Sequence, residues 1–168
     1  MLFNSYGFCF LFLPAVLTGW WLLPPGRQRL GLLTLASHVF YGWWAWRFVP
    51  LLLASTSADY AAGWYLGRVT ERARRRAALL LLLVFNLGIL GVFKYYDFFA
   101  GTLNGLGRLL GAEMDLPLLR VVLPVGISFY TFNSISYTID IYRGILRPAR
   151  SFLEFAAFVA MFPHLVAG

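Results

Sequence analysis

Apolar residues in this chain come in long runs rather than in alternation, and the charged residues collect between the runs. Six such segments stand out: Ser5 to Leu23, Leu30 to Trp46, Leu51 to Leu66, Ala77 to Phe93, Val121 to Ile141 and Phe152 to Ala167. A bilayer core about 30 Å thick takes roughly twenty helical residues, with about 17 as the practical minimum. The pattern therefore predicts an all-α polytopic membrane protein with about six transmembrane helices. Pro24, Pro25 and Gly26 stop the first, since proline cannot continue a helix and glycine does not favour one. The second closes in Tyr41, Trp43, Trp44 and Trp46, aromatics of the kind that settle at headgroup level and mark an interface. Between the fourth and fifth runs, Lys94 to Pro117 contains Thr102 to Leu110, too short to span, which reads as an interfacial or re-entrant segment.

The fifth run is the most polar. It carries Ser128, Tyr130, Thr131, Asn133, Ser134, Ser136, Tyr137, Thr138 and Asp140. At 3.6 residues per turn Tyr130, Asn133, Tyr137 and Asp140 follow one another on one face, while Phe129, Phe132 and Ile139 lie on another. A polar group facing hydrocarbon without a partner costs several kcal/mol, so the face with Asn133 and Asp140 is expected to point into a bundle or a wet cavity.

Composition agrees with a membrane protein: 60% of residues are hydrophobic and 12% charged, where a soluble domain has about a quarter charged. The net charge of +7 sits in short blocks between apolar runs, which points to anionic lipid and membrane topology and argues against nucleic acid as a partner. Cys9 is the only cysteine, which excludes an internal disulfide and a cysteine-based metal site; no metal is expected. The first run has no basic n-region before it and reads as a retained span. Alternate loops carry Arg27 and Arg29, then Arg68, Arg72, Arg74, Arg75 and Arg76, then Arg143, Arg147 and Arg150; the opposite set has only Arg47, Lys94, Arg108 and Arg120. The positive-inside rule puts the N-terminus outside and the arginine-rich loops in the cytoplasm.

Single residues carry competing readings. Asp59, in S-T-S-A-D-Y, is either a carboxylate bonded to a neighbouring helix or a group on a substrate path. Asp140 and Arg143 read as a local pair fixing a helix end; the alternative has Arg143, Arg147 and Arg150 receiving an anionic donor. Lys94 and Asp97 read likewise as a local pair at the interface, with donor or headgroup binding as the alternative, and the run Arg68 to Arg76 as a solvated anchor. His38 reads as a hydrogen-bonded packing residue. His164, after Pro163, could act as a base toward a hydroxyl or serve as a structural hydrogen-bonding group. The glycine pairs Gly63 with Gly67 and Gly101 with Gly105 would allow close helix approach.

Four stretches carry a family resemblance: L-P-V-G-I-S-F-Y-T-F-N-S-I-S-Y-T-I-D-I-Y-R-G ending at Gly144, N-S-Y-G-F-C-F-L-F-L-P at the N-terminus, F-K-Y-Y-D-F-F from Phe93 to Phe99, and F-V-A-M-F-P-H-L-V-A-G from Phe158 to Gly168. In order and end to end, the chain resembles the membrane-bound O-acyltransferases, especially the branch that acetylates alginate and other bacterial surface polysaccharides. The resemblance implies that residues 1–168 are the N-terminal part of a single membrane-embedded acyltransferase domain in a bacterial inner membrane. The family's catalytic histidine belongs to a W-H-G motif, preceded by R-W-H, and neither is present. No catalytic role is therefore assigned here, and activity is expected of the longer parent only. What the resemblance implies further is acetyl-CoA as donor substrate, no bound cofactor, an extracytoplasmic polysaccharide or partner protein as acceptor, and a tunnel lined or braced by Tyr130, Asn133, Tyr137, Asp140, His164 and Asp59. The alternative is a non-catalytic membrane module that anchors a partner or lipid; a transporter piece, with Asp59 and Asp140 as a proton relay, is a third reading.

Overall fold

The computed structural model of the chain describes residues 5–111, 116–118, 124 and 126–162. Among these residues the chain is helical and contains no strand. The six helices are α1 (Leu13–Leu22), α2 (Arg27–Ala45), α3 (Val49–Arg68), α4 (Arg72–Leu109), α5 (Ile127–Arg143) and α6 (Phe152–Val159). They match the six apolar runs in order, but not in length. By length and composition one of them, α4, qualifies as a membrane crosser, and the apolar helix Phe8–Leu22 is shorter than that standard. A count of six full spans is therefore not established.

Proline explains the first departure. Pro14 lies inside the first run, where it lacks an N–H and its ring crowds the carbonyl four residues back. The chain meets this with a wider π-helical stretch at Phe8–Phe12 that passes directly into α1, one of the few ways a helix absorbs such an insult. The second departure is α4. The segment expected to lie in the interface or re-enter is instead the continuation of α4 through Leu109, giving 38 residues. No proline occurs between Arg72 and Leu116, so nothing forces a break until the chain turns at Gly111, with φ of 71°. In the third, α6 has eight residues and ends at Ala160.

Two apolar clusters hold the helices. In one, Phe8, Phe12, Phe40 and Phe162 meet with ring centroids 5.4 to 6.1 Å apart, and Phe162 N donates to Ser37 Oγ at 3.1 Å, which ties the end of α6 to α2. The other gathers Tyr41, Leu52, Leu66, Leu90, Ile127, Tyr130, Ile141 and Phe155 from α2 through α6. Tyr41 thus belongs to the core rather than to the expected headgroup belt, whereas Trp43 and Trp46 remain exposed.

Glycine sets how closely α3 approaches α5. A Cβ at Gly63 would stand 2.9 Å from Tyr137 Cε1 and 3.2 Å from Ile141 Cδ1, and one at Gly67 would collide with Pro148. Among the described residues Gly101 and Gly105 have nothing within 4 Å of such a Cβ, so the second glycine pair makes no close approach to them.

Candidate functional site

Helix α5 explains where polarity gathers. Its buried stripe is Ile127, Tyr130, Thr131, Ser134, Tyr137, Thr138 and Ile141, the i, i+3, i+4, i+7 spacing of one helical face. Tyr130 and Tyr137 lie on it, while Asn133 and Asp140 flank it half-buried. Phe132 faces outward at 57% exposure. The fully hidden polar positions are thus Thr131, Ser134 and Thr138, a quarter turn from the face expected from the sequence.

Most hydroxyls in this region are used up locally. Ser55 and Thr56 donate to the Leu52 carbonyl, Ser57 to Leu53, and Thr138 to the Ser134 carbonyl, the back-bonding usual for these residues inside helices. Asp59 is different. At 1% exposure its carboxylate accepts a 2.6 Å hydrogen bond from Asn86 Nδ2 on α4, and the same Nδ2 reaches the Leu82 carbonyl at 3.2 Å. Among the described residues no cationic side chain pairs with Asp59. Ser134 lies on the Asp59 side of α5, and Tyr130 is within electrostatic range of both Asp59 and Tyr41. Among the described residues the Tyr130 and Tyr41 hydroxyls are buried without a hydrogen-bond partner, and the Ser134 Oγ is turned toward the Asp59 carboxylate just outside strict hydrogen-bond geometry. Buried polar atoms are nearly always paired, so α2, α3, α4 and α5 together enclose a polar layer that has more hydrogen-bonding capacity than the described residues use.

Asn86 was missed in the sequence, although a signal was there: it is the single polar side chain in the run Ala77 to Phe93. His38 has a related geometry. Its Nδ1 lies 2.7 Å from the Thr34 carbonyl, to which it can only donate, and the buried Nε2 has no hydrogen-bond partner among the described residues. Tyr137 is anchored instead, its hydroxyl accepting from Ala149 N at 2.8 Å.

The end of α5 corrects two expectations. Asp140 and Arg143 form no ion pair; among the described residues the ion pair is Arg74 with Glu71. The helix is closed by backbone: Gly144 at φ 78° lets its N–H reach the Ile141 carbonyl and lets Ile145 N reach Asp140 O at 2.9 Å, a Schellman motif. Arg75, expected in a solvated run, donates to the Leu66 and Val69 carbonyls at the end of α3 and to the Ile141 and Tyr142 carbonyls at the end of α5. A guanidinium there satisfies orphan carbonyls and the negative ends of two helix dipoles. Arg143, Arg147 and Arg150 are exposed on and after the last turn of α5, and no contact draws them together. His164 lies outside the described residues. Among those residues no cluster of three or more His, Cys, Asp or Glu could hold a metal ion.

The whole chain is similar to a probable alginate O-acetylase AlgI of Azotobacter vinelandii at 45% identity and to one of Pseudomonas putida at 46%, in each case covering 34% of the relative. It is also 32% identical to a peptidoglycan O-acetyltransferase of Helicobacter pylori, over the full chain and 36% of that protein. No family model matches, and no solved structure does. The chain spans about a third of the length of the curated relatives it matches. At 42–46% identity over its whole length, the chain is thus homologous to about a third of proteins named alginate O-acetylase AlgI, members of the membrane-bound O-acyltransferase family.

Proposed function

We propose that this chain is the N-terminal part of a polytopic O-acetyltransferase of a bacterial inner membrane, and that its buried polar layer forms part of the acetyl path. The observation that carries the reading is the 42–46% identity of the entire chain to proteins named alginate O-acetylase. Donor would be acetyl-CoA at the cytoplasmic face, where the excess of arginine places the loops after α1, α3 and α5, and the acceptor an extracytoplasmic polysaccharide hydroxyl or a partner protein. Activation of that hydroxyl falls to a histidine of the remaining two thirds of the protein.

The layer suits a path rather than a reaction centre. Passing an acetyl group without its CoA calls for a narrow passage with a few fixed polar groups. Spare hydroxyls at Tyr130 and Tyr41, with Ser134 beside an Asp59 held by Asn86, supply such groups in an otherwise apolar bundle. Asn133 and Asp140 flank this wall. Arg143, Arg147 and Arg150 are the candidates for meeting CoA phosphates, since exposed guanidinium groups are well placed for anions. The test is acetyl transfer from labelled acetyl-CoA by the full-length protein in proteoliposomes, with alginate as acceptor. Acceptor-dependent transfer is expected; a complete protein that binds partners but releases no acetyl would support an anchoring module instead.

A further inference from the structure

A second feature lies apart from the polar layer. An open cleft of ≈ 930 Å³ runs between α3 and α4. Its walls are alanines, Ala61 and Ala62 facing Ala77 and Ala78, and their short side chains leave the space that larger residues would fill. Trp64 and Arg74 stand at the end near the α3–α4 connection, and Phe85 lies at the other. Arg74 and Phe85 are about 17 Å apart along α4 at about 1.5 Å per residue. Beside the cleft, sharing Ala77, is a depression of ≈ 580 Å³ bounded by Arg72 and Arg76. The Arg68 guanidinium covers the Trp64 ring at 3.7 Å. Glu71 pairs with Arg74, the arginine that lines the cleft itself, so the exposed cations next to this end are Arg72 and Arg76 on the adjoining depression.

We infer that this cleft binds an anionic phospholipid, with an acyl chain between the alanine walls and the phosphate against Arg72 and Arg76. The site is apolar at depth and cationic at its shallow end, which is the order of groups in such a lipid. Charge decides between a lipid and a neighbouring helix: an apolar helix would fit the walls but has nothing to answer the guanidinium groups, whereas a phosphodiester accepts their hydrogen bonds. Arg75 takes no part, because its donors are committed to backbone carbonyls. The inference does not depend on acetyl transfer.

The test is native mass spectrometry of the detergent-purified full-length protein titrated with dioleoylphosphatidylglycerol or dioleoylphosphatidylcholine. Retention of the anionic lipid is expected to exceed that of the zwitterionic one by about tenfold or more, as a juxtamembrane basic cluster would give. The double variant R72Q/R76Q should erase the preference with unchanged thermal unfolding, and A77L should weaken retention of both lipids. Should A77L not fold, a photo-crosslinker at Ala61 gives the same answer by capturing lipid. Equal retention of the two lipids by the wild type, retention insensitive to R72Q/R76Q, or capture of polypeptide at Ala61 would overturn it.

Discussion

The Arg75 guanidinium on α4 donates a 2.9 Å hydrogen bond to the Tyr142 carbonyl, 67 residues away in sequence, while its other amino group holds the Leu66 carbonyl at 2.7 Å. One side chain at the start of α4 therefore gathers the ends of α3 and α5. Hydrogen bonds from a charged donor contribute about 1.5–3 kcal/mol, and the loss also leaves carbonyls unpaired. Arg75→Met should destabilise the protein by about 2 kcal/mol or more. Arg75→Lys should recover only part of this, since an ammonium lacks the planar fork. Arg72→Met and Arg76→Met, at exposed positions, should leave thermal unfolding almost unchanged. Equal effects at all three positions would remove the clamp from the account.

The Asp59–Asn86 bond predicts an asymmetry. Asn86→Leu leaves a buried carboxylate without its donor and should cost about 3 kcal/mol, whereas Asp59→Asn, which keeps shape and an acceptor, should cost about 1 kcal/mol. The double change to leucine at both positions should cost less than the sum of the single leucine changes. Thermal unfolding of the four proteins in detergent measures this, and strict additivity would deny the contact.

Glycine substitutions should sort by environment. Gly63→Ala places a methyl 2.9 Å from the Tyr137 ring and is expected to destabilise by about 1–3 kcal/mol through overpacking. Gly101→Ala meets no atom of the described residues within 4 Å and should stabilise that helix by about 0.5–1 kcal/mol. Urea or thermal unfolding of the two variants should move in opposite directions.

The helices were legible because apolar runs and their proline stops report directly on burial, as at Pro24 and Pro25. Their lengths were less so: the polar and aromatic residues from Lys94 to Arg108 suggested a change of environment, but hydrogen bonding along α4 continued regardless. Asp59 was visible as an acid in an apolar run; its partner Asn86 was overlooked, although it is the one amide in another. Arg75 could not be separated from Arg72, Arg74 and Arg76 by pattern, since only the tertiary arrangement of two helix ends gives it acceptors. The polar face of α5 was misjudged by a quarter turn because Tyr130 and Tyr137 lie on both the expected stripe and the observed one, and partner helices, not periodicity, choose which neighbours are hidden.

The polar layer gives the most direct test. Tyr130→Phe and Tyr41→Phe each delete a buried hydroxyl that has no hydrogen-bond partner among the described residues, so neither should lower stability. Acetyl transfer from acetyl-CoA to alginate by the full-length protein in proteoliposomes should nonetheless fall by about tenfold or more in the double variant, equivalent to about 1.4 kcal/mol of lost stabilisation along the path. Transfer at the wild-type rate by a normally folded double variant would contradict the claim that this layer lies on the acetyl path.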